Sequence, residues 1–459
     1  MTIDVIEEIG EPIDGAPSGG SEPWPSPAQG WYAVAIFAIA LMMGFLDRGV
    51  IGYLIHPIEL DLHLTDTEIG LITGLGTVAL YAFISLPIAR FADVSIRRNI
   101  VATGIAVWSL ATAFCGLAGT FWQLFLGRVV VGAGEACNGP PVFSMISDLF
   151  PRERLPRAIA VLNFGFIFGN GLASLFAGWL IGVFTAIPHL SFPIVGAVKP
   201  WQATFIVVGL PGLIVSALMW TVKEPKRRGR ISRTTEHKNL PVREVAHYFF
   251  SNAATYAPMF LGLGFNIIPS VALGAWGAEY FRRSFGWETS RYAIYAGIIT
   301  MALAPLGALF GSFLAERFHA RGRDDANLLV VFLSFLLNTP VLVALTIAPS
   351  PYLALAAFGY IQFVAMWVPG PFNAALQVVT PNEMRAQITA LFLYVFTIVG
   401  FGLGPSVVAT LTDHLFHDPA MLRYSMLCVT ATLMPLATLS IWWGLKAYGA
   451  SVARAKSWG

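Results

Sequence analysis

Charge is what this 459-residue chain has least of: Asp, Glu, Lys and Arg make up 12% of it, where a soluble domain carries about 25%. The apolar residues reach 56% and the mean hydropathy is +0.68. A water-soluble enzyme is excluded, and the net charge of +2 makes no case for nucleic acid. Cysteine is nearly absent. Cys115, Cys137 and Cys428 fall inside apolar runs without metal-ligand spacing or a disulfide framework, so they read as small buried hydrophobes. No phosphate-binding loop is present, which excludes bound ATP as an energy source. No Ser/His/Asp or zinc-type His set lies at membrane depth, so the chain is not read as an enzyme and no cofactor or metal is expected. His414, His417, Asp413 and Asp418 sit in one short loop and read as solvated. Residues 1–30 lack the basic start of a signal peptide and read as a disordered tail.

What is present is a series of apolar runs, each long enough to cross a bilayer, which takes about 20 residues. Twelve are expected: 31–56, 67–89, 98–118, 121–147, 157–185, 202–222, 253–281, 290–315, 326–348, 351–379, 386–411 and 420–448. The fold class is all-α integral membrane. With the N-terminus placed in the cytoplasm, eighteen lysines and arginines fall in inside loops and four outside. Both termini are therefore expected in the cytoplasm and the protein in the cell (inner) membrane. A basic linker, 223–252, separates a bundle at 31–222 from one at 253–448, and 449–459 is left as a tail. In the linker, the segment VREVAHYFF is expected to form a short helix on the membrane surface. The halves echo each other: Pro151-Arg-Glu153 after the fourth run returns as Pro381-Asn-Glu383 after the tenth, which is how a parallel repeat looks.

The exceptions to the shortage of charge are concentrated. Asp47 and Arg48 lie inside the first run, and Arg128 and Glu135 inside the fourth. A charge at the bilayer centre costs roughly 2.5–3.5 kcal/mol, so each needs a partner or water. Asp47 lies about 24 Å along the first helix, while Arg128 and Glu135 lie about 10 and 21 Å down the fourth, which runs the other way. Those depths permit Asp47–Arg128 and Arg48–Glu135 pairs. Such pairs either clamp two helices together or exchange protons as a conformational change moves an arginine away. In the second half, aromatic and amide groups take the place of charge. Phe265, Asn266, Tyr360, Gln362, Trp367, Asn373 and Tyr394, with Asn163 and Asn170 from the first half, are candidate cavity-lining residues.

Ala89-Arg-Phe-Ala-Asp93-Val-Ser-Ile-Arg97-Arg98 resembles the signature loop of the major facilitator superfamily, although Ala89 and Ile96 replace its usual glycines and Val94 a basic residue. Arg128-Val-Val-Val-Gly132-Ala-Gly134-Glu135-Ala resembles its fourth-helix motif. That likeness implies two pseudo-symmetric six-helix bundles, with Asp93, Arg97, Arg98, Glu316 and Arg317 gating the cytoplasmic side. Leu46-Asp47-Arg48, combined with Gly132-Ala-Gly134-Glu135-Ala and with Thr67-Glu68-Ile-Gly-Leu-Ile-Thr, is most similar to the spinster-like transporters. The resemblance implies a proton-coupled secondary transporter, working by alternating access, for an amphiphilic anionic lipid such as a lysophospholipid or sphingosine phosphate. Asp47 and Glu135 would carry protons, and Arg48 and Arg128 would serve the ion pairs and the substrate head group. Protons, the small amphiphile and membrane lipids are the expected partners, and the protein is expected to be a monomer. The alternatives are a proton symporter of small organic anions such as sugar acids, a multidrug-type exporter, or a membrane sensor that does not transport.

Overall fold

The computed structural model describes residues 24–151, 154–187, 191–192, 196–227, 242–381 and 384–455. The chain begins its first span at Pro27, where the Ser26 hydroxyl accepts from the Gln29 N–H and proline occupies a position needing no donor. Residues 27–30 therefore belong to the span and not to a tail. Of the twelve expected spans, eleven are long and apolar enough on their own to cross a membrane. The remaining one, the fourth, is two shorter helices, Phe121–Glu135 and Gly139–Leu149.

Several spans outrun their apolar cores. The second continues to Val94, so most of the signature loop is helical. The seventh reaches Phe285 and closes on Gly286 at φ +67°, a conformation glycine adopts without strain. The eighth runs to Ala320, and the twelfth to Ala455, so most of the expected C-terminal tail is helix. The linker helix forms as Val242–Ser251, with Val245 buried and the Tyr248 hydroxyl donating to the Val379 carbonyl. One two-stranded hairpin, Ser191–Phe192 with Gly196–Ala197, interrupts the all-helical pattern. Calls on residues 1–23, on Arg152, Glu153, Asn382, Glu383 and Lys456, on 228–241 and on the Asp93 side chain fall outside what is described.

The repeat is visible in backbone geometry. The fourth span breaks at 136–138 and the tenth at 366–368, each just ahead of Gly/Pro residues, and Pro151 and Pro381 follow at the same spacing. Close approaches repeat too. A Cβ added to Gly132 would lie 1.9 Å from the Thr77 carbonyl, between spans four and two. One added to Gly307 would lie 2.0 Å from the Phe363 carbonyl, between spans eight and ten. Small residues let helix backbones meet where lipid supplies no hydrophobic drive. Gly132→Ala is expected to cost about 1–3 kcal/mol as overpacking, seen as a lower thermal midpoint. Gly182→Ala, whose Cβ meets nothing within 4 Å, should leave the midpoint in place.

The cores show how the halves meet. At the end carrying both termini each half has its own core: Val34, Ile105, Met145 and Met219 in the first, and Met259, Phe335, Phe372 and Tyr448 in the second. At the far end a single cluster joins Ile55, Ile69 and Trp201 to Trp276, Phe281 and Val408. The halves are thus fused at the far end and separate at the termini end.

Candidate functional site: two crossed ion pairs at membrane depth

Asp47 and Arg48 lie near the far end of the first span, where the helix gives way to the tight turn Ile51–Tyr53. Neighbouring residues diverge by about 100° on a helix, so the two side chains take different partners on the fourth span. The Asp47 carboxylate faces Arg128 at 3.4 Å and accepts a 2.5 Å hydrogen bond from the Thr112 hydroxyl on the third span. Both members are almost wholly buried, with side-chain exposures of 5% and 1%. Arg48 turns its Nε and Nη2 to one oxygen of Glu135, Oε2. The other oxygen, Oε1, is buried without a hydrogen-bond partner. The Arg48 side chain keeps 20% exposure. Its guanidinium lies 5.6 Å from the Phe45 ring, 5.4 Å from Tyr81 and 5.6 Å from Phe401. Phe401 belongs to the other half. Thr112, Tyr81 and Phe401 were not legible as site residues, because a lone Thr, Tyr or Phe in an apolar run carries no pattern.

The candidate lining residues scatter. Asn163 and Asn373 are exposed, and the Asn373 amide donates to the Pro369 carbonyl of its own helix. Asn170 does the same to Phe166. Asn266 points at the Met434 sulfur and Gln362 donates to the Thr300 hydroxyl, both inside the second half. Phe265 packs half-buried against that half's core. Tyr360 and Tyr394 stay 38% and 37% exposed. Trp367 packs inside the second half. It is 7% exposed and wedged between spans eight and ten, against Phe310 and Phe363 and over Gly311. It stands in the tenth-span break, where the closely approaching backbones leave a slot for a large ring.

Of the residues expected to gate, Arg97 and Arg98 knit the first half together. Arg97, 2% exposed, donates to Asp148 at 2.5 Å, to Glu224 at 2.8 Å, to Ser144 and to the Pro225 carbonyl. The Arg98 N–H donates to Glu224, and its guanidinium lies over Trp220. Glu316 and Arg317 are exposed.

A second charged group bridges the halves at the far end. Arg283, on the seventh span, donates to Asp66 at 2.6 and 2.7 Å, to Glu59 at 3.3 Å and to Glu279 on its own helix at 3.0 Å. It is 5% exposed, Asp66 0% and Glu279 1%. Arg282 also pairs with Glu279. Around this group burial pushes the Glu59 carboxyl above its ordinary value while Arg283 pulls it down. Burial and the charge of Arg282 push His56 below its ordinary value. His56, Glu59 and Glu279 bring ligand atoms within 4.8 Å of one another, but the arginines already neutralise Glu279. Beside them the Asp413 carboxylate accepts from the Thr67 N–H at 2.6 Å, and Asp418 caps Ala420.

Buried charge pairs between two spans of one half, with a ring of the other half against them, mark a polar site inside a helical membrane bundle. The family model for the Major Facilitator Superfamily matches residues 37–405. The chain belongs to that superfamily of membrane transporters.

Within it the likeness is to spinster proteins. The chain is 25% identical to protein spinster homolog 1 of Xenopus tropicalis over 83% of this chain and 72% of that protein. It is 24% identical to an MFS-type efflux pump of Mycolicibacterium smegmatis over 91% and 92%. Among solved structures, a bacterial homologue of the human lysosomal transporter spinster, inward-facing and unoccupied, superposes with a TM-score of 0.75 at 23% identity, covering 94% of this chain and 98% of that one. A D-xylose-proton symporter does so at 0.65 and 14% identity, over 90% and 97%.

Proposed function

We propose that the protein is a proton-coupled secondary transporter of an amphiphilic anionic lipid, a lysophospholipid or a sphingosine-phosphate-like molecule. The reading rests above all on Arg48, a cation held at membrane depth with one face on Glu135, aromatic rings around it and some exposure left. A proton taken up by Glu135 frees Arg48 for an anionic head group, and the surrounding rings suit the apolar part of the same molecule. Asp47 and Arg128 form the second, drier pair, and proton arrival at Asp47 loosens its hold on the fourth span. With both termini in the cytoplasm, as the distribution of basic residues supports, the separate cores at the termini end correspond to an inward-facing carrier. Asp93, Arg97, Arg98, Glu316 and Arg317 then border the cytoplasmic mouth. The resemblance to an efflux pump supports export as the direction.

The test is uptake by proteoliposomes under an imposed pH gradient. Labelled lysophospholipid should accumulate, and a protonophore should abolish the accumulation. Uptake of a sugar acid in its place would move the cargo assignment to small anions. Lysolipid movement indifferent to the gradient would remove the proton.

A further inference from the structure

The eleventh span is not a plain helix. Between Arg385–Phe396 and Gly404–Leu411 it widens into a π-helical stretch, Thr397–Leu403. Such stretches are rare and concentrate at functional places. The cause is local. Pro405 has no N–H, so the Phe401 carbonyl four residues earlier loses its α-helical donor. Facing this stretch, the second span is itself broken, at Gly74 with φ −98° and ψ −91°. A Cβ on Gly74 would lie 2.7 Å from the Gly402 carbonyl. The Ser406 hydroxyl stands 3.1 Å from the carbonyls of both Gly402 and Gly70. Two broken helices, one from each half, therefore meet backbone to backbone. Within the widened stretch, next to Gly402, stands Phe401, whose ring lies on the Arg48 guanidinium.

We infer that Phe401 is a positioning residue, the contact through which the second half responds to the charge state of the Arg48–Glu135 pair. The inference rests on the proton-coupling reading above and names the part that transmits it. While Glu135 is ionised, Arg48 is held against it and offers a fixed cationic face to the ring. When Glu135 takes a proton from water at the open end, Arg48 is released and that face moves. Conversion of the π stretch to α-helix turns one side of the span relative to the other by one residue, about 100°. That turn carries Phe401 away from Arg48 and loosens the joint at Gly74. The charged and titratable groups facing the pair are Asp47 from its own helix, Tyr81 from the second span and Arg128 from the fourth. The second half contributes an uncharged ring, which responds to the position of the cation without titrating.

The experiment measures separation of the halves at the termini end in the full-length protein in nanodiscs. Spin labels are placed at Ser147→Cys and Gln377→Cys, both exposed and at equivalent repeat positions, in a background lacking the native cysteines. The parent distance distribution should shift as the pH is lowered from 7.5, and Glu135→Gln should pin it. Phe401→Leu keeps an apolar side chain but removes the ring. It should retain the parent's thermal midpoint and reduce the pH-driven shift at least threefold, whereas Phe401→Trp should restore it. Phe401→Ala repeats the leucine test with the side chain removed. A parent-like shift in Phe401→Leu and Phe401→Ala overturns the inference and leaves proton coupling standing. A parent whose distances ignore pH overturns the coupling reading and this inference with it.

Discussion

Glu135→Gln and Asp47→Asn should both reduce gradient-driven uptake to the level of empty liposomes, yet differ sharply in stability. Each removes a group able to gain and lose a proton while keeping its shape. The difference lies in the partner left behind. Arg48 retains exposure and its aromatic neighbours, so Glu135→Gln strands a cation that can still be hydrated. Arg128 is 1% exposed, and its Nε already lacks a partner. Asp47→Asn leaves that cation buried without a counter-charge, at a cost of about 3–5 kcal/mol. Adding Arg128→Leu to Asp47→Asn should recover most of the lost thermal stability without recovering transport, because an uncharged pair, with Thr112 beside the amide, tolerates burial where a lone cation does not. Gradient-driven uptake preserved in both single variants would reduce the two pairs to a clamp between the first and fourth spans.

The crossed pairs were legible because charge is so rare in this chain that four charges on two runs, placed by a 1.5 Å rise per residue, allow only a few partnerships. The repeat was legible for a related reason: turn chemistry recurs in loops, and the matching helix breaks at 136–138 and 366–368 follow the same spacing. Span ends were not, since Ala320 and Ala455 terminate helices whose last turns are polar and leave no hydropathic edge. An aromatic on a helix looks the same from sequence whether it faces a void or a neighbouring backbone, so the packing of Trp367 over Gly311 could not be read there. From sequence Arg283 is simply one of the four basic residues expected in outside loops. Its role depends on Asp66, 217 positions away, a partnership no local pattern records.

That arginine carries the second large effect. Arg283→Gln should release the far end of the molecule. In the closed end, Arg283 is the shared counter-ion of Asp66 and Glu59 from the first half and of Glu279 beside it. Glu279 would keep Arg282. Asp66, fully buried, would keep no cation among its described partners. The penalty for an uncompensated buried charge, about 3–5 kcal/mol, falls on the closed arrangement alone, because opening returns these acids to water. A 1.4 kcal/mol difference is tenfold, so the balance should move more than a hundredfold towards a far end that is open. Ala275→Cys reports on this directly: its backbone carbonyl would sit 3.0 Å from a Cβ on Gly52 across the seam. In a background lacking Cys428, which is exposed, a membrane-impermeant maleimide applied from that side should label Ala275→Cys slowly, and rapidly once Arg283→Gln is added. Asp66→Asn combined with Arg283→Gln should slow the labelling again, since neutralising the acid removes the reason to open. Equal labelling with and without Arg283 would mean that the apolar cluster of Ile69, Trp276 and Val408 closes the far end unaided.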